Sequence, residues 1–207
     1  NFEEPGLKWA TYADLYHSYS LLPEAYFANI DTYYSGKDLG KDFFKNRVRL
    51  TEAGKRNLIG IKGGLFAETV HSASKLDYMV FPRFFALAER AWSPKRAYES
   101  EEAFTSTALE QDYLHFVNRI GRVDLPKLAD RFAFRLPAVG LQQQGDTLLA
   151  NIEYPNFNIY YTIDGTVPSL RSMKYAPEKG ITYMPNHKYV FAVVEDSGRV
   201  GQLTYFN

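Results

Sequence analysis

The chain has 207 residues with 24 basic and 24 acidic side chains, so its formal charge is zero and it carries no electrostatic footprint for nucleic acid or an anionic membrane surface. It has no cysteine, which excludes disulfides and thiolate metal sites, and its four histidines lack ligand spacing, so neither a metal nor any other cofactor is expected. An apolar share of 45% with 23% charged residues fits one or two ordinary globular domains, and no run of about eighteen apolar residues is present to span a membrane.

The opening at Asn1, without methionine or a basic-then-apolar signal pattern, suits a piece of a longer protein. Residues 1–22 read as an exposed loop, opened by Pro5-Gly6 and marked by Trp9, Tyr12, Asp14 and Tyr16. An indole can cover the axial hydrogens of a pyranose while the sugar hydroxyls stay free, but on composition alone Trp9 reads as packing. Residues 23–46 form an aromatic, glycine-punctuated connection with one short helical turn, and its tyrosines Tyr26, Tyr33 and Tyr34 suit either a cleft or a core edge. Thr51 resembles a helix N-cap before a short turn over 52–57.

Leu58, Ile59 and Ile61 then lead through Gly63 and Gly64 into Leu65 and Phe66, the pattern of a short buried strand in which the paired glycines permit close backbone approach. Glu68 lies just past its C-terminal end. In a (β/α)₈ barrel that end is the active face, which makes Glu68 a ligand-binding candidate. Ser72 or Ser74 can cap the helix that follows, expected over 75–92. Its buried face is expected to carry Leu76, Met79, Val80, Phe84, Leu87, Ala88 and Ala91, with a bend at Pro82 and an end at Ser93-Pro94. Glu89 and Arg90 read as helix-end charges.

A polar linker precedes a second amphipathic helix over 105–120, with Leu109, Tyr113, Phe116, Val117 and Ile120 on one face and Gly121 as its stop. Glu110, Asp112 and His115 read as a solvated face or local pairs, and 125–132 as a short third helix. Beyond Pro137 the hydrophobic period changes to two. The runs LLANIEY, NIYYTID, KYVFAVVED and VGQLTYF predict strands, separated by turns at Pro155-Asn156, Asp164-Gly165, Pro185-Asn186 and Ser197-Gly198, which make a small antiparallel sandwich. Asp164-Gly165-Thr166 with Pro168 is the chemistry of a tight turn rather than of a ligand site. The frequent aromatics, 16 tyrosines and 15 phenylalanines, suit packing in such a β-rich domain, with some left to line a sugar site.

Three stretches carry a family resemblance. LFAETV followed by LDYMVFPRFFALAERAWSP, residues 65–94, is similar to the LWSE and FPR-LALAERAW patterns that end the catalytic barrel of glycoside hydrolase family 20, the β-N-acetylhexosaminidases and chitobiases. EEPGLKWATYADLYHSYSLLPE, residues 3–24, resembles that family's loop with a substrate-facing tryptophan. IYYTIDGTVPSLRSMKY, residues 159–175, resembles the C-terminal β-sandwich of the chitobiase branch.

The resemblance implies an α/β plus all-β chain. Residues 1–133 would be the C-terminal portion of a (β/α)₈ TIM barrel, and residues 134–207 a small Ig-like antiparallel β-sandwich. It implies a hydrolase acting on a terminal N-acetylhexosamine of chitobiose or a glycan, by substrate-assisted retaining catalysis, with the catalytic Asp-Glu pair upstream and no catalytic residue in this chain. Trp9, Glu68 and Phe66 would bind substrate, with Phe66 in the place of a family tryptophan and Ala67 in that of a serine. The implied partners are an N-acetylhexosamine oligosaccharide and the N-terminal part of the same enzyme, and the implied location is periplasmic or secreted. One barrel strand with unpaired edges would also favour self-association of the chain. The alternative is a non-catalytic carbohydrate-binding or scaffold protein with a decayed family-20-like barrel, which the exchange at Phe66 favours and the retained Trp9 and Glu68 oppose.

Overall fold

A computed structural model describes residues 15, 19, 51, 53, 56, 57, 63–65, 67–94, 96, 98 and 106–206. The chain divides into two compact units, Asn1–Phe116 with Arg131–Phe134, and Val117–Asp130 with Arg135–Asn207.

In the first unit Ala53 and Arg56 are helical after Thr51, and the Asn57 N–H donates to the Ala53 carbonyl at 3.2 Å. The expected strand over 58–66 lies largely outside the described residues, and its described part, Gly63, Gly64 and Leu65, takes no regular structure. A 3₁₀ turn, Ala67–Thr69, leads into helix α1, Ala73–Val80, whose N-cap is Ser72: its hydroxyl accepts from the Lys75 N–H at 3.1 Å. The single bent helix expected over 75–92 is in fact two. Proline has no N–H to donate and drives the residue before it into extended backbone, so Phe81 (φ −99°, ψ 139°) ends α1 and the cis Phe81–Pro82 peptide precedes α2, Arg83–Trp92. Phe81 packs on Phe84, Phe85 and Phe132, with ring centroids 5.1–6.1 Å apart, and the Ala133 N–H donates to Asp77 Oδ2 at 3.1 Å, which fixes the returning segment Arg131–Phe134 to α1.

Helix α3, Ser106–Arg119, buries Leu109, Tyr113 and Phe116 in this unit, while Val117 and Ile120 are buried in the second, so the apolar face read from the sequence is the one the helix uses. Gly121 is not its stop. The backbone widens into a π turn, Ile120–Asp124, and continues as α4, Leu125–Leu128, four residues shorter than the segment expected to run to residue 132. A Cβ built on Gly121 would lie 2.4 Å from the Pro155 carbonyl oxygen and 2.9 Å from its ring, so glycine is needed here for close approach of two backbones. Gly121→Val is expected to destabilise the second unit by about 1–3 kcal/mol, because the obstruction is backbone that cannot swing aside; a urea midpoint unchanged from the parent protein would refute this.

The rest of the second unit is two antiparallel sheets. One has the order β1-β2-β5, from Val139–Gln144, Thr147–Ile152 and Ile181–Thr182. The other has the order β4-β3-β6-β7, from Met173–Lys174, Ile159–Thr162, Tyr189–Val193 and Thr204–Phe206. The four predicted turns share one geometric feature. Their second residues, Asn156, Gly165, Asn186 and Gly198, all have φ between 75° and 84°, the left-handed region that asparagine and glycine tolerate. Gly145 at +58° opens the two-residue β1–β2 hairpin and sets the register Gln144↔Thr147.

Both sheets supply the core: Val139, Leu148 and Ala150 from the first, and Ile159 with all of β6 from the second. Every β6 residue is buried, as a central strand covered on both faces requires. Polar groups inside are satisfied across the core. The Ala150 N–H donates to the Tyr175 hydroxyl at 2.9 Å, the Thr204 hydroxyl to the Val139 carbonyl at 2.9 Å, and the Tyr154 hydroxyl to the Arg135 carbonyl at 2.5 Å. The Asp164 carboxylate accepts from the Thr166 N–H and hydroxyl, at 3.0 and 2.6 Å, which lowers its pKa and closes the turn on itself.

Candidate functional site

Of the three residues singled out as substrate-binding, Glu68 is described, while Trp9 and Phe66 lie outside the described residues. Glu68 is exposed in the 3₁₀ turn, which is closed by the Val70 N–H on the Ala67 carbonyl at 3.0 Å. The turn is followed at once by the Ser72 cap and α1, so the carboxylate stands where the chain leaves Gly63-Gly64-Leu65 and enters a helix anchored at its first turn. An exposed, anchored carboxylate can accept hydrogen bonds from the hydroxyls of a polar ligand. Among the described residues no group of three His, Asp or Glu side chains is placed to hold a metal, and no helix is long and apolar enough to cross a membrane.

The largest polar assembly among the described residues of the first unit is a different one. The buried stripe of α2 is Arg83, Ala86 and Arg90, whereas Phe84, Ala91 and Trp92, and Leu76 on α1, are exposed, Trp92 at 89%. The face expected to be buried is thus rotated, and Arg90 is no helix-end charge. Its guanidinium lies 4.1 Å from the centroid of the buried Tyr19 ring and donates to Asp112 Oδ2 at 3.3 Å. Asp112, expected on a solvated face, is the centre of the cluster. The same Oδ2 accepts from the hydroxyls of Tyr19 and Tyr98, each at 2.5 Å, and from Arg96 Nε at 2.7 Å. Arg96 also donates to Glu89 Oε1 at 3.1 Å, and that oxygen accepts the Ser93 hydroxyl at 2.9 Å. The Tyr19 ring packs at a tilt against Phe116 and Tyr113, with centroids 4.4 and 5.4 Å away.

The electrostatics follow from this crowding. Desolvation raises the Asp112 pKa, but the two tyrosine hydroxyls and the charges of Arg96 and Arg90 outweigh it and hold the carboxyl below its ordinary range. Desolvation first, and the bond to Asp112 second, push Tyr98 up to about 12 and Tyr19 further still. At neutral pH the groups gathered on Asp112 are therefore its carboxylate, two guanidinium ions and two neutral phenols acting as donors.

Residues 5–95 match the family model described as glycosyl hydrolase family 20, catalytic domain. The chain is 29% identical over 185 residues to a beta-hexosaminidase of Vibrio vulnificus and 30% identical over 176 residues to an N,N'-diacetylchitobiase of Vibrio harveyi. Each match covers 79% of this chain but only 21% and 19% of those proteins, so the chain spans about a fifth of the length of the curated relatives it matches. Glu68 and the whole of α1 and α2 fall within the matched segment, while Asp112 lies beyond it. Residues 5–95 are thus similar to the catalytic domain of glycosyl hydrolase family 20, and both relatives are named for glycoside hydrolase activities.

Proposed function

We propose that the chain is the closing part of a β-N-acetylhexosaminidase that removes terminal N-acetylhexosamine from chitobiose or a glycan, residues 1–133 completing a (β/α)₈ barrel and residues 134–207 forming an Ig-like sandwich. The observation that carries this reading is the family match over 5–95, and the names of the two relatives and the paired antiparallel sheets accord with it. In such a reaction the 2-acetamido oxygen of the sugar attacks the anomeric carbon, the glycosidic C–O bond breaks, and a carboxylic acid gives its proton to the leaving oxygen; water then opens the cyclic intermediate with retention. The protein supplies no nucleophile. It supplies an acid, an aspartate that orients the acetamido group, and walls that keep water from the intermediate.

On this reading the Asp-Glu pair belongs to a preceding part of a longer protein, and this chain contributes recognition. Glu68 accepts hydrogen bonds from sugar hydroxyls, Trp9 offers its apolar face to a second sugar, and Phe66 keeps an aromatic surface in the first subsite without the N–H of an indole. A periplasmic or secreted location, where chitin fragments and glycans are met, goes with this activity.

The 207-residue chain by itself is expected to show no hydrolysis of an aryl N-acetylglucosaminide above a buffer control, whereas the longer protein hydrolyses it. Sustained turnover by the purified chain would place an acid and an orienting carboxylate within these residues and overturn the assignment. Binding of the sugar by the longer protein with no turnover would favour the non-catalytic reading.

A further inference from the structure

Helix α2 has its polarity inverted. Its covered stripe carries two cations, Arg83 at 5% and Arg90 at 6% exposure, while its large apolar side chains Phe84 and Trp92 are 52% and 89% exposed. Successive residues advance by about 100° around a helix, so Phe84, Ala91 and Trp92 share one open side, away from Arg83, Ala86 and Arg90. The exposure of Trp92 is not that of a frayed end. The Ser93 N–H donates to the Glu89 carbonyl at 2.9 Å, and the Ser93 hydroxyl and the Arg96 guanidinium both donate to Glu89 Oε1, at 2.9 and 3.1 Å. The last turn is thus pinned while its indole stays uncovered. Two aromatic rings left in water along one anchored helix form an apolar patch of the kind that marks a contact surface.

We infer that the Phe84, Ala91 and Trp92 side of α2 is a docking surface for the preceding part of the longer protein, an apolar element of the same barrel. This rests on the reading of residues 1–133 as the closing part of a barrel. Two observations name the occupant. The helix lies within the residues matched to a catalytic domain, and the chain spans only about a fifth of the length of its relatives. In a (β/α)₈ barrel each helix stands in a ring between two neighbours. Arg90 of α2 is tied to Asp112 of α3 on one flank, and the flank of Phe84 and Trp92 is the one left open. The open side, which also takes in Leu87 and Ala88, carries no charge, so the element that covers it is apolar.

Hydroxyl-radical labelling of the longer protein, read residue by residue by mass spectrometry, tests this, with the same protein in urea as the unfolded reference. Trp92 is expected to react at least about fivefold more slowly in the folded longer protein than in the unfolded one, and in the 207-residue chain at close to the unfolded rate. Trp92→Glu should lower the urea midpoint of the longer protein and leave that of the 207-residue chain within error. A Trp92 that reacts equally fast in the folded and unfolded longer protein would overturn the proposal. So would protection in the 207-residue chain that grows with its own concentration, which would make the occupant a second copy. Hydrolysis is a separate readout: a longer protein with a protected Trp92 and no turnover would uphold the docking surface and remove the enzymatic reading.

Discussion

Asp112→Ala should cost the first unit about 3 kcal/mol of stability, more than the loss expected at Gly121 in the second. Arg90 has a side chain only 1% exposed and Arg96 one 23% exposed, and the substitution takes from both the carboxylate that faces them. Two tyrosine hydroxyls lose their acceptor at the same time. Asp112→Asn should cost roughly half as much, since an amide oxygen can still accept but no longer carries charge. Chemical denaturation of both variants measures this, and an alanine variant within about 0.5 kcal/mol of the parent would show that the cluster contributes nothing net.

The same cluster sets a pH dependence at both ends. Asp112 has a pKa below its unfolded value, so its contribution is fully present above about pH 4 and is lost as pH falls through the lower folded value. Tyr98 has a pKa raised to about 12, so its contribution is present below about pH 10 and is lost as pH rises through 12. In Asp112→Asn the acid limb should flatten, which separates this carboxyl from all others.

If the chain closes a longer hydrolase as proposed, Glu68→Gln there should raise KM and lower kcat/KM about ten- to a hundredfold, the equivalent of roughly 1.4–2.7 kcal/mol of charge-assisted hydrogen bonding. The change keeps the size of the side chain and one acceptor oxygen, so it removes charge from an exposed position and should leave the unfolding midpoint within error. Steady-state kinetics on an aryl N-acetylglucosaminide decide the matter: a variant with parental kcat/KM would mean that Glu68 faces solvent only, and an equal fall in kcat with unchanged KM would give it a part in the transition state instead.

What could be read from the sequence was what depends on neighbours in the chain. The face of α3 follows from three- and four-residue spacing, and the turns at Asn156, Gly165, Asn186 and Gly198 follow from the few residues that accept a left-handed backbone. Strand β1 carries no strand pattern in the sequence because its second half, Gln142 to Gln144, is polar and exposed, and β4 and β5 are two residues each, defined by the strands they pair with rather than by any pattern of their own. The face of α2 departs from its sequence pattern for a related reason. Hydrophobicity favoured Phe84, Leu87 and Ala91 over Arg83 and Arg90, and the partners that make a buried Arg90 tolerable stand on segments 22 and 71 positions away. Of the candidate site, the exposed turn at Glu68 was legible as the end of an apolar run before a capped helix, whereas the cluster around Asp112 exists only in three dimensions.

The route of the chain through its two units has one further consequence. It passes from the first to the second after Phe116, returns after Asp130 and leaves again after Phe134. No single scission can therefore part them cleanly. A cut after Phe116 strips Arg131–Phe134 from the first unit, a cut after Phe134 strips Val117–Asp130 from the second, and a cut after Asp130 leaves each holding a piece of the other, so the two are laced together by the covalent chain itself.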